Sequence, residues 1–252
     1  MKHSADLPMT IRPVVALSDQ YPAGFVDPMH SHARSQLCFA VSGVMSFVTE
    51  SASFILPPKR ALWIPAGMRH QLACRGPVAF ETLYIDPALD RRPQACRVFE
   101  VSPLVQALIE EVITFKHAYD VEGREGRIVA MLLDEIELMP NVPVCAAMPS
   151  DPRLRRVCDA ILADAADPRD IDDWARIAGM GRRTFTRLFK QGTGMGLATW
   201  RQQVRVMEAM SLLASGRPIT TVAYDVGYES PSAFTAMFHR TFGVPPSAYV
   251  RR

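Results

Sequence analysis

Four side chains in the first third of the chain could hold a divalent cation. They are His30, His32 and Gln36, in the pattern Gly24-x5-His30-x-His32-x3-Gln36-x6-Gly43, and His70, in Pro65-x-Gly67-x2-His70. Imidazole nitrogens suit Zn²⁺, Ni²⁺, Cu²⁺ and Fe²⁺, and three of them leave open positions around the ion. Gln36 would add a neutral amide oxygen. On a single strand His30, His32 and Gln36 share parity and would point to one face. Cys38 and Ala40 continue that face with small side chains, which leaves room for a small-molecule effector, and Trp63 and Tyr84 are further candidates for the pocket wall. The histidines could equally be a hydrogen-bonded lining that holds no metal. A metal-dependent enzyme or metal sensor would use the same set, but no carboxylate pair, nucleophile constellation or phosphate loop accompanies it.

The last hundred residues point to different chemistry. Phe185-x3-Phe189-x4-Gly194 recurs 49 residues later as Phe234-x3-Phe238-x4-Gly243, and Ala175 and Gly179 recur 48 residues later as Ala223 and Gly227. Each unit reads as a short helix, a turn containing glycine and a second helix, which is the helix-turn-helix pattern. The second helix of the first unit presents Arg182, Arg183, Thr186, Arg187 and Lys190 outward. Arginine can form two hydrogen bonds to guanine O6 and N7, so Arg183 and Arg187 are the candidates for reading bases. Arg182 and Lys190 suit phosphate. The matching helix of the second unit offers Ser232, Thr235, His239 and Arg240 among small apolar residues, a face suited to phosphate contacts and thymine methyl groups. Double-stranded promoter DNA is the partner this implies.

These residues need elements to position them. Short apolar runs over residues 11–86, such as QLCFAVSG, ASFILPP and ALWIPAG, are separated by turn residues and predict a small β-barrel or sandwich. Glu81 falls on an exposed strand face or beside an arginine such as Arg60 or Arg69. Apolar residues at helical spacing over 102–139 predict two helices that either dimerise the protein or pack on the barrel. The proline-punctuated stretch NVPVCAAMPSDP reads as a linker. From residue 153 the pattern is helical, and a helix over roughly 197–214 joins the two repeat units. At about 1.5 Å per residue that connector is ~27 Å long, and successive major-groove faces lie ~34 Å apart.

Composition narrows the class. The chain has 252 residues, 48% hydrophobic and 21% charged, enough to bury a core and remain soluble. Residues 1–149 carry 13 Lys+Arg against 16 Asp+Glu, and residues 150–252 carry 15 against 10, so the helical half is the basic one. The five cysteines are scattered with no CxxC, as expected of reduced cytoplasmic thiols. No apolar stretch suits a membrane span or a signal-peptide core.

The segment from Ile171 to Arg251 closely resembles the DNA-binding domain of AraC/XylS-type bacterial transcription regulators. WARIAGMGRRTFTRLFKQGTGM and YDVGYESPSAFTAMFHRTFGVPPSAYVR carry the resemblance. Gly181 stands where that family usually has Ser, and Ala236 where a longer polar residue is common. Residues 15–86 resemble the cupin β-barrel family through the two histidine motifs. Gln36 replaces the usual Glu, Lys59 the leading Gly and Ala73 the trailing Asn of the second motif. Together the resemblances imply a multidomain α+β chain. A cupin-like effector-binding barrel spans 1–100, a helical pair 101–140, a linker 141–152, and an all-α domain with two helix-turn-helix units 153–252. They imply a cytoplasmic transcription regulator, not an enzyme, that forms a homodimer and contacts promoter DNA, an effector and RNA polymerase.

Overall fold

The computed structural model describes residues 12–250 apart from 75, 90–93, 117, 143 and 144. It divides into two compact units, Met1–Thr49 with Leu56–Pro143, and Glu50–Ile55 with Val144–Arg252. In chain order the strands are β1 (Val14–Tyr21), β2 (Val26–His30), β3 (Ser35–Ser42), β4 (Met45–Thr49), β5 (Ala52–Leu56), β6 (Arg60–Ile64), β7 (His70–Cys74), β8 (Val78–Ile85) and β9 (Arg97–Glu100). Helices α1 (Pro103–Ile113) and α2 (Arg124–Leu138) follow, then the two-residue strands β10 (Asn141–Val142) and β11 (Ala146–Ala147).

The first unit is a two-sheet barrel with a helical cover. One antiparallel sheet has the order β1-β8-β3-β6-β9-β10, and β7 pairs with both β2 and β4 in the other. Alternate residues of β1 (Leu17, Asp19, Tyr21) and β8 (Phe80, Thr82, Tyr84) face an interior cavity. The intervening residues of β8, Leu83 among them, join Leu37, Phe39, Trp63 and Phe99 in a separate layer under α1 and α2. Strand β6 is buried along its whole length because both its faces are covered. Helix α1 starts at Ser102, whose hydroxyl accepts the Val105 amide at 3.2 Å, followed by Pro103. Its stripe of Val105, Leu108, Ile109 and Val112 packs on the barrel with Val129, Leu132 and Ile136 of α2. The barrel-packing alternative for this pair is therefore the observed one.

Glu81 lies in that outer layer and differs from its expected setting. One carboxylate oxygen is buried without a hydrogen-bond partner among the described residues, and the charge acting on it is Glu110 of α1, not an arginine. Burial first, then Glu110, raises its pKa above the ordinary carboxylate value. A raised acid pKa means that the folded state binds the proton more tightly than the unfolded one. The resulting stabilisation is complete below the unfolded pKa and is lost as pH rises through the folded one. Glu81→Gln is expected to melt at a higher temperature than wild type at about pH 8, with the gap closing near pH 4. Parallel melting curves across that range would dismiss the effect.

In the second unit, β11 pairs antiparallel with β5 through Ala146↔Ser53 and Ala147↔Ala52, and the Met148 amide donates to Ser51 O at 2.7 Å. Residues expected as a linker thus contain strand; Pro143 and Val144 within it lie outside the described residues. The helices are α3 (Pro152–Ala163), α4 (Ile171–Ile177), α5 (Arg182–Thr193), α6 (Leu197–Ala214), α7 (Ile219–Asp225), α8 (Pro231–Phe242) and α9 (Pro246–Val250). Helix α6 is the spine. It buries Trp200, Val204, Met207 and Met210. Arg201 Nη1 donates to Arg169 O at 2.9 Å and Arg205 Nε to Ala165 O at 3.1 Å, which ties the α3–α4 loop to α6. No helix among the described residues is long and apolar enough to cross a membrane.

Candidate functional site

The two repeat units have the same construction. Helices α4 and α7 each end in a glycine with left-handed backbone, Gly179 (φ 64°) and Gly227 (φ 80°). The Met180 amide donates to Ala175 O and the Tyr228 amide to Ala223 O, both at 2.9 Å. The next helices are anchored by fully buried phenylalanines, Phe185 and Phe189 in α5 and Phe234 and Phe238 in α8. Their starts differ as the residues require. The Ser230 hydroxyl accepts the Ala233 amide at 3.2 Å, whereas Gly181 gives α5 no side-chain cap.

Arg182, Arg183, Thr186, Arg187 and Lys190 all stand exposed on α5. Arg182 Nη1 lies 3.0 Å from Asp172 Oδ2, and Thr186 Oγ1 donates back to Arg182 O at 2.9 Å. Arg183, Arg187 and Lys190 have no ion-pair partner among the described residues. On α8, Ser232, Thr235, His239 and Arg240 line one concave surface with Pro231, Ala236 and Pro245.

In the barrel, His30 ends β2, His32 sits in the turn before β3, and His70 begins β7. The convergence comes from the turn between strands, not from parity along one strand. One ligand nitrogen from each lies within 4.8 Å of the others. His30 Nε2 and His32 Nε2 are 3.2 Å apart. His30 Nδ1 is 2.6 Å from Pro28 O and His70 Nδ1 is 2.9 Å from Met68 O. A carbonyl only accepts, so both Nδ1 atoms carry the proton and the Nε2 atoms are the ones that can act as acceptors or metal ligands. Burial, then His30 and His70, lowers the His32 pKa to about 3, and burial lowers that of His70. Both rings are neutral at pH 7, the form that binds a metal.

Gln36 is 5% exposed, and its Nε2 donates to Thr82 Oγ1 at 3.1 Å and to Tyr84 Oη at 3.3 Å. Its Oε1 is buried with no partner among the described residues. Three clustered imidazoles and an orphaned amide oxygen fit a divalent transition metal. His30, His70 and Gln36 line a cavity of about 30 Å³, and His32 is not among its wall residues. Tyr84 lines the cavity, with its ring edge-on to His32. Trp63 does not; it belongs to the layer under α1 and α2. Cys38 and Ala40 are fully buried but are not wall residues of the cavity. Asp19, Tyr21, Asp27 and Thr82 do line it, and sequence reasoning passed over all four. Pro28, which interrupts β2 next to Asp27, is the signal that could have found one of them.

A helix-turn-helix domain model matches residues 174–252, and a cupin domain model matches residues 19–86. The chain thus carries a cupin domain followed by a helix-turn-helix domain. The chain is 29% identical over 227 residues to the HTH-type transcriptional regulator NimR of Escherichia coli K12, covering 89% of the chain and 82% of NimR. It is 31% identical over 133 residues to the arabinose operon regulatory protein of Escherichia coli K12, 51% of this chain and 46% of that protein. Among solved structures, the DNA-binding domain of AdpA, crystallised with a target DNA, is 35% identical over 40% of this chain and 92% of its own, with a TM-score of 0.38.

Proposed function

We propose that the protein binds promoter DNA through α5 and α8, and that a divalent transition metal in its barrel adjusts that binding. The observation that carries the DNA reading is the row of Arg183, Arg187 and Lys190 on α5, exposed and without ion pairs among the described residues, in one half of a duplicated helix-turn-helix. Arg183 and Arg187 read guanine edges, Arg182 and Lys190 bind phosphate, and Thr186 lies between them. On α8, Ser232, Thr235, His239 and Arg240 position the second unit on the backbone.

The size of the cavity supports a metal over an organic effector. About 30 Å³ admits an ion with a water or two, far below the several hundred Å³ of a drug-sized ligand site. His30, His32, His70 and the Gln36 carbonyl would hold the ion, which supplies positive charge at the barrel centre. The four residues then fix β2, the β2–β3 turn, β3 and β7 to one another. That change alters DNA affinity only by as much as the ion prefers one state of the protein over the other. The protein acts in the cytoplasm as a homodimer, for which Leu104, Met131 and Leu138, exposed on α1 and α2, supply an apolar outer face.

Fluorescence anisotropy of the full chain on a promoter fragment from its own operon, over a range of salt and with and without Zn²⁺, tests this reading. Specific binding that changes with Zn²⁺ is expected; equal affinity for promoter and random DNA would defeat the regulator reading. Lys190→Ala should weaken binding evenly across sequences and reduce the slope of log K against log salt by about one unit. An unchanged slope would take Lys190 off the phosphate backbone.

A further inference from the structure

Three neutral imidazoles and a neutral amide leave a divalent ion without a negative partner in a half-buried site, and an uncompensated charge there is costly. We propose that Asp27 supplies the missing carboxylate, in place of the glutamate that Gln36 has displaced; this rests on the metal reading above. The geometry comes from an irregularity in β2. Val26 pairs with Ala73 and Asp27 with Leu72, but His30 pairs with His70, so one extra residue is accommodated between Asp27 and His30. In a regular strand residues 27 and 30 point to opposite faces. The extra residue at Pro28-Met29 cancels that alternation and turns both side chains into the barrel. Asp27 and His30 accordingly both line the cavity.

Asp27 Oδ2 lies 3.8 Å from His30 Nε2, and the same Nε2 lies 3.2 Å from His32 Nε2. Two donors held at about 2.1 Å from one ion are about 3.0–4.2 Å apart, depending on the angle between them. Both separations fall in that range. The orphaned Oε1 of Gln36, on a side chain that is 5% exposed, independently marks the same cavity as lacking a positive or hydrogen-bearing partner. Its amide nitrogen is committed to Thr82 and Tyr84, so Gln36 can offer oxygen but no charge. The site therefore divides between two residues what a glutamate would do alone. Gln36 gives the oxygen from β3 and Asp27 gives the charge from β2.

The test uses the full chain, with Zn²⁺ affinity from chelator competition and the visible absorption of bound Co²⁺ as readouts. Asp27→Asn is expected to weaken Zn²⁺ binding at least tenfold and to alter the Co²⁺ spectrum, with the metal-free melting temperature unchanged. Gln36→Glu in the Asp27→Asn background should restore affinity to near the wild-type value. Gln36→Glu alone should tighten binding less than about threefold, because the charge is already present. Wild-type affinity and spectrum in Asp27→Asn would overturn the assignment and leave the metal reading standing. So would failure of the double variant to recover, or a tenfold gain from Gln36→Glu alone. A wild-type chain that takes up no Zn²⁺ or Co²⁺ would overturn both.

Discussion

Phe189→Ala is expected to destabilise the second unit by about 3–5 kcal/mol, enough to leave a domain of ordinary stability marginal or unfolded. Phe189 is fully buried on α5. Its ring meets Trp200 of α6 edge-on, with centroids 5.8 Å apart, and Phe185 at 5.5 Å. Trp200 is itself fixed, since its indole N–H donates to Ala147 O at 2.7 Å. A fixed neighbour cannot collapse into the space the phenyl ring vacates, which places the cost in the upper part of the range for such truncations. Phe238 is the repeat counterpart, packed on Phe234 at 5.7 Å and Phe242 at 4.6 Å. Phe242 is only half-buried and has more freedom to follow. Phe238→Ala should therefore cost less than Phe189→Ala while still exceeding about 2 kcal/mol. Urea unfolding followed by helical circular dichroism measures both. A loss below 1 kcal/mol at Phe189 would mean that α5 is not anchored through this residue.

The repeat was legible because each of its parts has a local cause. Phenylalanines four apart bury one face of a helix, and Gly179 and Gly227 end helices in a conformation other residues disfavour. A local pattern at a constant offset survives without knowledge of the tertiary fold. The barrel was legible as a set of strands but less so as a site. Strands β3 and β6 are covered on both faces, so their composition cannot say which residues face the cavity, and Trp63 is a candidate for the wall by its type although it packs in the outer layer. Strands β9, β10 and β11 are short and paired far along the chain, and no local signal marks them. Glu81 was misjudged because its neighbour comes from α1, some thirty residues away. Lys59 shows a departure that the backbone did not follow. It stands where the cupin pattern has glycine, yet it keeps a left-handed backbone with φ 64°, at a cost of about 1–2 kcal/mol. The turn into β6 thus constrains the residue, and the rest of the barrel compensates for the strain.

Arg187→Ala is expected to relax base preference at one operator position and to weaken binding to the preferred site by about 1–3 kcal/mol, roughly 5- to 150-fold in affinity. Arg187 stands one helical turn after Arg183 on the exposed face of α5, so the two can address successive positions along a groove. Arg182 is differently placed, because it already pairs with Asp172 of α4 and would have to exchange that partner for a phosphate. Its replacement should cost less than that of Arg187, and about equally on every sequence. Helix α8 has no second pair of free guanidinium groups reaching along its middle. Thr235 and Ala236 occupy the positions that match Arg187's neighbourhood, and His239 and Arg240 come a turn later. Discrimination should consequently concentrate in one half-site of the operator, with the other half-site tolerant of substitution. Binding of wild type and Arg187→Ala to an operator library with every base varied singly would measure this. Wild type should show a sharp preference for G at one position that the variant loses. Uniform weakening across the library would assign Arg187 to the phosphates and leave base reading to Arg183 alone.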